Sequence, residues 1–261
     1  MFEVAEAYER QRGRSSKLLA PLFIDFVGVK GEVIDVGCGT GALTLAMAQK
    51  KSVSKIVGID VSHAFIAYAR SKTNDPRIVF EKGDAQNLAL SDASFDQCVA
   101  LLVIPFMSDP LKAVKEMNRV TRSGGTVATA TWDTTGGNEL NDVLTETALI
   151  LDPKADPKPP GVENTSGTYG SQQDLSSLWE AAGLTNIETT SLLFPCNFES
   201  FNDFWQPLTE GQGPAGAYLR AISADRRNAL RNLLRERILG SGVDGPLTLR
   251  AKAWAVRGVV P

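Results

Sequence analysis

The sequence predicts an α/β fold in which a doubly wound, mostly parallel sheet is covered by helices on both faces. In the first half of the chain, apolar strand-like runs alternate with helical patterns, which is typical of parallel strands joined by helices. One of these runs, "FDQCVALLVI" (95–104), is apolar over most of its length. Such a run is typical of a central strand that is buried on both faces.

Four further runs in the first half are predicted strands: "EVIDVG" (32–37), "KIVGID" (55–60), "RIVFEKGD" (77–84) and "GTVATATWD" (125–133). Helices are predicted between the strands. Ser62 is a plausible N-cap for one of them, and the helix before the fifth strand has Pro110 near its start and Gly124 past its end.

The second half predicts a helix in "QDLSSLWEAAG" (173–183), a strand in "TNIETTSLLF" (185–194), a helix in "SADRRNALRNLLRERILG" (223–240) and a strand in "LTLRAKAWAVRGVV" (247–260). This order suits a Rossmann-like, seven-stranded sheet with an antiparallel last strand and a helical lid or insertion. The stretch 153–172 is rich in proline, glycine and polar residues and is predicted to be a long loop.

We expect four parts along the chain. They are an N-terminal cap segment (1–30), a cofactor-binding core (31–133), lid and substrate-side insertions around one helix and one strand (134–222), and a C-terminal helix with the final strand of the same sheet (223–261).

The bulk composition argues against several classes of protein. Of the 261 residues 43% are hydrophobic and 22% charged, and the net charge of −3 disfavours a non-specific nucleic-acid binder. The three cysteines form no C-x-x-C pair, so neither a zinc site nor a disulfide framework is predicted. Neither a secretory signal nor a membrane span is recognisable. We therefore expect a cytoplasmic monomer or homodimer without a bound metal.

The first predicted strand runs into a glycine loop, "VIDVGCGTGALT" (33–44), in which Gly37, Gly39 and Ala42 match the dinucleotide pattern G-x-G-x-x-A. The pattern alone allows a nicotinamide dinucleotide or another nucleoside. Asp35 lies two residues before Gly37, where its carboxylate would oppose a pyrophosphate bound at the start of the helix. A ligand with a cation there, such as the amino group of a methionine moiety, suits Asp35 better. This observation favours S-adenosylmethionine over NAD.

Two further acids follow the next strands. Asp60 ends the second strand, where an acidic residue accepts hydrogen bonds from ribose hydroxyls. Asp84 follows the third strand, and with the N–H of Ala85 it could read the edge of an adenine. Three successive strands that each end in Asp beside one glycine loop are a stronger signal than any one of these acids.

The motifs "VIDVGCGTG", "VGID", "GDAQNLAL" and "FDQCVALLVIPF" resemble, in this order and spacing, the class I S-adenosylmethionine-dependent methyltransferases. Within that group they look like the small-molecule branch, methyltransferase type 11, which includes the ubiquinone and menaquinone biosynthesis enzymes. The resemblance covers roughly residues 5–133, and the C-terminal third looks like bacterial methyltransferase-domain proteins of unknown substrate. It implies methyl transfer to a small-molecule acceptor by in-line displacement at the sulfonium methyl, with S-adenosylhomocysteine as product.

The resemblance also implies which residues contact the cofactor. They are Gly37 and Gly39, Asp60 for the ribose, Val61 against the adenine, Asp84 and Ala85 at the adenine edge, and Ala100 and Leu101 near the sulfonium. We count Asp35 and Cys38 with this loop.

The N-terminal segment, "YERQRGR", could fold over the cofactor. Tyr8 would then cover the ligand, and Arg14 would bind the methionine carboxylate. A solvated basic helix is the alternative interpretation.

Acceptor contacts are predicted from residues at the same edge of the sheet and in the variable segments: Pro105, Trp132, Tyr169, Trp205 and Tyr218. Together they suggest an apolar pocket, although each aromatic ring could instead be packed in the core. No catalytic base is predicted. The sequence after the fourth strand, "VIPFM", lacks the Asn/Asp-Pro-Pro-aromatic motif of nucleic-acid base methyltransferases.

Two alternatives remain open from the sequence. An NAD-dependent oxidoreductase is disfavoured by Asp35 and by the lack of a recognisable Tyr-x-x-x-Lys motif. A non-catalytic S-adenosylmethionine-binding protein would keep the same cofactor motifs.

Overall fold

The computed structural model describes residues 5–9, 13–154, 169–210 and 214–261. Most of the predicted loop at 153–172 therefore lies outside the described residues. The strands are β1 (Gly31–Val36), β2 (Val53–Asp60), β3 (Ile78–Lys82), β4 (Phe95–Leu101), β5 (Thr121–Trp132), β6 (Thr185–Phe198) and β7 (Leu247–Val259).

These strands form a seven-stranded sheet with the order β3-β2-β1-β4-β5-β7-β6. Strands β1 to β5 pair in parallel, and β7 is antiparallel to both of its neighbours, β5 and β6. The predicted sheet with an antiparallel last strand is confirmed. Because β1 to β5 are parallel, their carboxyl ends lie along one edge of the sheet, which is where open α/β sheets bind ligands.

The helices of the described residues are α1 (Ala5–Tyr8), α2 (Arg14–Val27), α3 (Ala42–Met47), α4 (His63–Arg70), α5 (Pro110–Val120), α6 (Glu139–Leu151), α7 (Gln172–Ala181), α8 (Phe201–Glu210), α9 (Pro214–Ala221) and α10 (Ala224–Leu239). A short 3-10 turn spans Ile104–Phe106. The Ser62 hydroxyl accepts a hydrogen bond from the N–H of Phe65, so Ser62 is the N-cap of α4 as predicted.

The sheet is covered on both faces, because neighbouring residues of a strand point to opposite sides. Val33 packs in the cluster beneath α2 and α3, whereas Ile34 packs in the cluster beneath α5 and α7. The alternation repeats on β4, where Val99 and Ala100 join opposite clusters. This arrangement is the doubly wound architecture that the sequence predicts.

The boundary of β4 differs from the prediction. The strand ends at Leu101, three residues before the predicted end at Ile104. Leu102 adopts a left-handed backbone with φ of 59°, and its N–H donates to the carbonyl oxygen of Ala130. The chain therefore leaves the strand direction at Leu102 and turns toward the 3-10 turn, although the apolar sequence continues.

The ends of β6 and β7 extend past the carboxyl edge of the parallel strands. Trp132, the last residue of β5, pairs with Ala253, and β7 begins six residues earlier at Leu247. Leu247 and Leu249 pack with α6, α8, α9 and α10 in a third cluster. These helices therefore stand beside the ligand edge. No described helix is long and apolar enough to cross a membrane.

Trp179 on α7 joins the helical layer to the centre of the sheet. Its ring is fully buried, and its indole N–H donates to the carbonyl oxygen of Val127 at 3.0 Å. We expect Trp179→Ala to lower the free energy of unfolding by about 3–5 kcal/mol, because it empties a packed site and removes the hydrogen bond. Urea denaturation measures the change.

The matched control is Leu193→Ala on β6, where the side chain is 59% exposed. This change should alter the free energy of unfolding by less than about 0.5 kcal/mol. Equal losses in the two variants would contradict the role of Trp179.

Candidate functional site

The glycine loop between β1 and α3 is attached to the end of β2. The N–H groups of Gly37 and Cys38 both donate to the carbonyl oxygen of Ile59, at 2.7 and 3.0 Å. The N–H of Gly39 donates to Asp60 Oδ2 at 3.0 Å. These bonds bring the predicted loop and the predicted ribose acid together at one point of the sheet edge.

Gly37 and Gly39 both have left-handed backbones, with φ of 71° and 54°. A Cβ on Gly37 would lie 2.5 Å from a methyl group of Val103, so this glycine allows the β4–α5 connection to approach the loop. A Cβ on Gly39 would meet no described atom within 4 Å. The open side of the loop, where a ligand has room, is therefore at Gly39.

Asp35 is fully buried at the end of β1. Its Oδ2 accepts a hydrogen bond from the Thr44 hydroxyl at 2.5 Å, whereas its Oδ1 has no hydrogen-bond partner in the part of the chain that the structure describes. Burial raises the pKa of Asp35 to about 7, although the bond from Thr44 opposes the shift. The carboxyl group is therefore close to half-ionised at neutral pH and lacks one donor.

The other predicted cofactor acids lie at the ends of the neighbouring strands. Asp60 accepts from the N–H of Ser62 as well as from Gly39, and burial raises its pKa. Asp84 accepts from the N–H of Gln86 in the turn after β3. Val61 is 63% exposed although it is apolar, so it offers an uncovered surface next to Asp60.

The remaining loop and β4 residues differ in accessibility. The thiol of Cys38 is buried against Phe80 and the helix α4, and burial raises its pKa far above its usual range, so it is not a thiolate nucleophile. Ala100 is fully buried, while Leu101 and Ala85 are half-buried. Pro105 is half-buried in the 3-10 turn.

Two described residues of the N-terminal segment contact elements at the ligand edge. The ring of Tyr8 lies 5.0 Å from the ring of Phe65 at the start of α4, near Asp60 in the sequence. Glu9 Oε1 accepts from the hydroxyl of Thr40, which lies in the glycine loop, at 2.5 Å. Tyr8 and its neighbour are thus close to the predicted cofactor loop.

Arg14, unlike Glu9, makes its contacts away from the glycine loop. Its guanidinium donates to both carboxylate oxygens of Asp203 on α8, at 2.9 and 3.0 Å, and to the carbonyl oxygen of Asn197. It also lies 5.1 Å from the centre of the Phe198 ring. The structure therefore places Arg14 against β6 and α8 and not against the glycine loop. Its guanidinium is paired there with Asp203, which is 189 residues away in the chain.

The predicted acceptor residues separate into two groups. Trp132, at the end of β5, is half-buried with its ring 6.2 Å from Phe194, and Tyr169 accepts a hydrogen bond at its carbonyl oxygen from the Thr131 hydroxyl. Trp205 is only 6% exposed and stacks on Phe201 inside the helical cluster. This burial fits the alternative interpretation of Trp205, a ring that is packed in the core.

Tyr218 also belongs to the helical cluster, where it is half-buried on α9 and burial raises the pKa of its hydroxyl. A cavity of about 60 Å³ opens beside this cluster, between the start of α2 and the helices α6, α8 and α9. It is lined mainly by apolar side chains, with the Arg14–Asp203 ion pair at its wall.

The described residues hold no group of three or more His, Cys, Asp or Glu side chains arranged for a metal ion. Asp133, the buried acid after β5, is instead paired with the Lys252 ammonium at 2.6 Å. Burial alone would raise the pKa of Asp133, but the bonds from Lys252 and Thr135 hold it below its usual range.

Sequence reasoning missed three residues of this region: Glu9, Thr40 and Thr44. Thr40 stands between two loop glycines in "GTG", a position that marks it as a loop donor. Thr44 contacts Asp35 only because α3 turns back over the strand, and Glu9 reaches the loop across 31 residues. No local pattern marks either of these two contacts.

We expect Gly37→Ala to destabilise the protein more than Gly39→Ala. Both changes introduce the cost of a left-handed alanine, about 1 kcal/mol, but only the first forces a Cβ against Val103. The additional loss should be about 1–3 kcal/mol, the usual cost of overpacking. Denaturant unfolding without ligand compares the two variants, and equal midpoints would contradict the close approach of Val103.

Comparison with known proteins gives the family. Residues 34–129 match the family model described as a methyltransferase domain. A malonyl-[acyl-carrier protein] O-methyltransferase of Pectobacterium atrosepticum is 34% identical over 123 residues, which are 47% of this chain and 46% of that protein. A ubiquinone/menaquinone biosynthesis C-methyltransferase of Bdellovibrio bacteriovorus is 34% identical over 108 residues, 40% of this chain and 46% of that protein. The chain spans about half the length of these curated relatives.

The fold has solved counterparts. Phosphoethanolamine N-methyltransferase 2 of Haemonchus contortus, in complex with S-adenosyl-L-methionine, superposes with a TM-score of 0.56 and 16% identity, over 93% of this chain and 52% of that chain. The matched residues include Asp35, Asp60 and Asp84. The chain therefore contains a methyltransferase domain at residues 34–129 and has the fold of solved S-adenosylmethionine-dependent methyltransferases.

Proposed function

We propose that this protein transfers the methyl group of S-adenosylmethionine to a small-molecule acceptor. The observation that carries the proposal is a row of three acids at the sheet edge beside the glycine loop: Asp35 next to the last residue of β1 before the loop, Asp60 at the end of β2, and Asp84 two residues after β3. A nucleoside with two ribose hydroxyls and a cationic amino acid part has complementary groups for all three acids.

Asp35 supports a ligand with an ammonium group. Its unpartnered Oδ1, counted over the described residues, is a buried acceptor, and leaving such a group without a donor is costly. An ammonium of the methionine moiety, directly or through a water molecule, would supply the missing donor and favour the ionised carboxylate. A pyrophosphate has no donor to offer there, which disfavours the nicotinamide alternative.

The adenosine would lie on the β2 and β3 side of the loop. Asp60 already holds the N–H groups of Gly39 and Ser62, so its carboxylate is oriented for ribose hydroxyls. The exposed Val61 offers an apolar surface for the adenine, and Asp84 with the N–H of Ala85 stands at the edge where the adenine amino group would lie. Gly37, Cys38 and Leu101 would contact the amino acid part mainly through their backbones.

The acceptor would enter from the side of β5 and the helical cluster. The sulfonium supplies an activated methyl group, so this chain mainly has to orient the acceptor and exclude water. Trp132, Pro105 and Tyr169 would form the near wall, and the apolar cavity beside α6 and α8 would take a hydrophobic part of the acceptor. The names of the relatives give O-, N- and C-methyltransferases, so the acceptor atom differs among similar proteins.

Calorimetric titration with S-adenosylhomocysteine and with NAD tests the cofactor. We expect micromolar binding of S-adenosylhomocysteine, no binding of NAD, and at least about tenfold weaker binding by Asp60→Ala, because the ribose hydroxyls lose a charged acceptor. Asp25→Ala is the control, since Asp25 is an exposed acid on α2 that pairs with Lys50. Binding of NAD alone would overturn the proposal.

The transfer itself is tested with tritiated S-adenosylmethionine and a bacterial extract fraction below about 1 kDa, the size range of small-molecule ligands. Tritium is expected in an extractable small molecule. Binding of S-adenosylhomocysteine without any such transfer would support the non-catalytic binding protein instead.

Ligand affinity should depend on pH through Asp35. An ammonium pairs with the ionised carboxylate, and below pH 7 that carboxyl group must first lose a proton. We expect S-adenosylhomocysteine to bind about tenfold more tightly at pH 8 than at pH 6, with proton release at the lower pH. Asp35→Asn should bind more weakly and without this pH dependence. The same change of affinity between pH 6 and pH 8 in the wild type and in Asp35→Asn would contradict the role of Asp35.

A further inference from the structure

The carboxylate of Glu9 is bound by the glycine loop and by α2 together. Its Oε1 accepts from the Thr40 hydroxyl at 2.5 Å, and its Oε2 lies 2.5 Å from the Lys17 ammonium. The side chain of Glu9 is only 13% exposed. The contact is therefore unlike a surface ion pair, because one partner is enclosed and a hydroxyl of the ligand loop completes it.

The backbone makes room for this carboxylate. A Cβ on Gly13 would lie 2.7 Å from Glu9 Cδ and 2.8 Å from each of its oxygens. Any larger residue at position 13 would thus displace the group. Thr40, Lys17 and Gly13 together form a cradle with the size and the donors for one carboxylate.

The position of the cradle is informative. Thr40 follows Gly39, whose N–H binds the acid proposed for the ribose. The amino acid part of an adenosyl ligand carries its own carboxylate and would lie along the same loop. Arg14, the cation that the sequence suggests for that carboxylate, is already bound to Asp203 through two bonds.

We propose that Glu9 is an internal competitor, which fills in the free protein the cradle that the methionine carboxylate of the ligand takes, with Lys17 as the cation that both carboxylates share. This inference rests on the proposed function. Two carboxylates do not fit one cradle, so ligand binding displaces Glu9 and transfers the Lys17 ammonium to the ligand. Apparent affinity is reduced by the fraction of molecules in which Glu9 occupies the cradle.

The test compares two ligands on two variants by calorimetry. S-adenosylhomocysteine carries the carboxylate, and 5′-methylthioadenosine has the same nucleoside without the amino acid part. We expect Glu9→Gln to bind S-adenosylhomocysteine at least about threefold more tightly, because the competitor loses its charge. Lys17→Met should bind it at least about tenfold more weakly. The affinity for 5′-methylthioadenosine should change less than about twofold in both variants.

Lys50→Met is the matched control, because Lys50 pairs with Asp25 near the other end of α2, and in this pair both side chains are exposed. It should leave both affinities unchanged. Equal or weaker binding of S-adenosylhomocysteine by Glu9→Gln, or unchanged binding by Lys17→Met, would contradict the proposal that Glu9 competes with the ligand carboxylate. If the wild type binds neither nucleoside, the proposed function fails. This failure is distinguishable from failure of the competitor proposal, because it is seen in the wild type without any substitution.

Discussion

The attachment of the glycine loop to β2 is the constraint on which the ligand edge depends. Two N–H groups, from Gly37 and Cys38, converge on the carbonyl oxygen of Ile59, and a third, from Gly39, binds Asp60. Without these bonds the left-handed glycines would have no fixed direction. These bonds hold together the end of β1, the start of α3 and Asp60 of β2, and they form one rigid corner of the sheet edge. Glu9 of the N-terminal segment contacts this corner at Thr40.

The parts of this corner that are close in sequence could be predicted from the sequence. Apolar runs, glycines and strand-end acids are local signals, so the sequence predicts the parallel strands correctly. The roles of Asp35, Asp60 and Asp84 at the ends of these strands stay predictions. The predicted end of β4 at Ile104 is wrong, because the chain turns at Leu102, which has a left-handed backbone. The apolar residues that continue to Ile104 give no sign of this turn. The sequences of α8 and α9 carry no clear helical signal, because prolines and a glycine interrupt the apolar pattern that packs in the third cluster.

The assignment of Arg14 shows the limit most clearly. A basic residue before the glycine loop suggests an anion partner, and the sequence offers no means of ranking a ligand carboxylate against those of the protein. Asp203 lies 189 residues away, and the bidentate pair exists only because β6 extends past the sheet edge and carries α8 to the start of α2. Long-range charge pairing of this kind is a property of the tertiary fold. The role of Arg14 is therefore structural in the described arrangement, joining α2 to α8.

Two residues of the N-terminal segment contact opposite sides of the proposed binding region. Glu9 contacts the loop at Thr40, and five residues later Arg14 contacts α8 at the wall of the apolar cavity. Each contact joins a carboxylate to a donor through a charge-assisted hydrogen bond. Release of Glu9, as proposed above, would therefore occur five residues from a contact on the acceptor side. In both contacts a carboxylate of the protein occupies a donor that a charged group of a ligand would also suit.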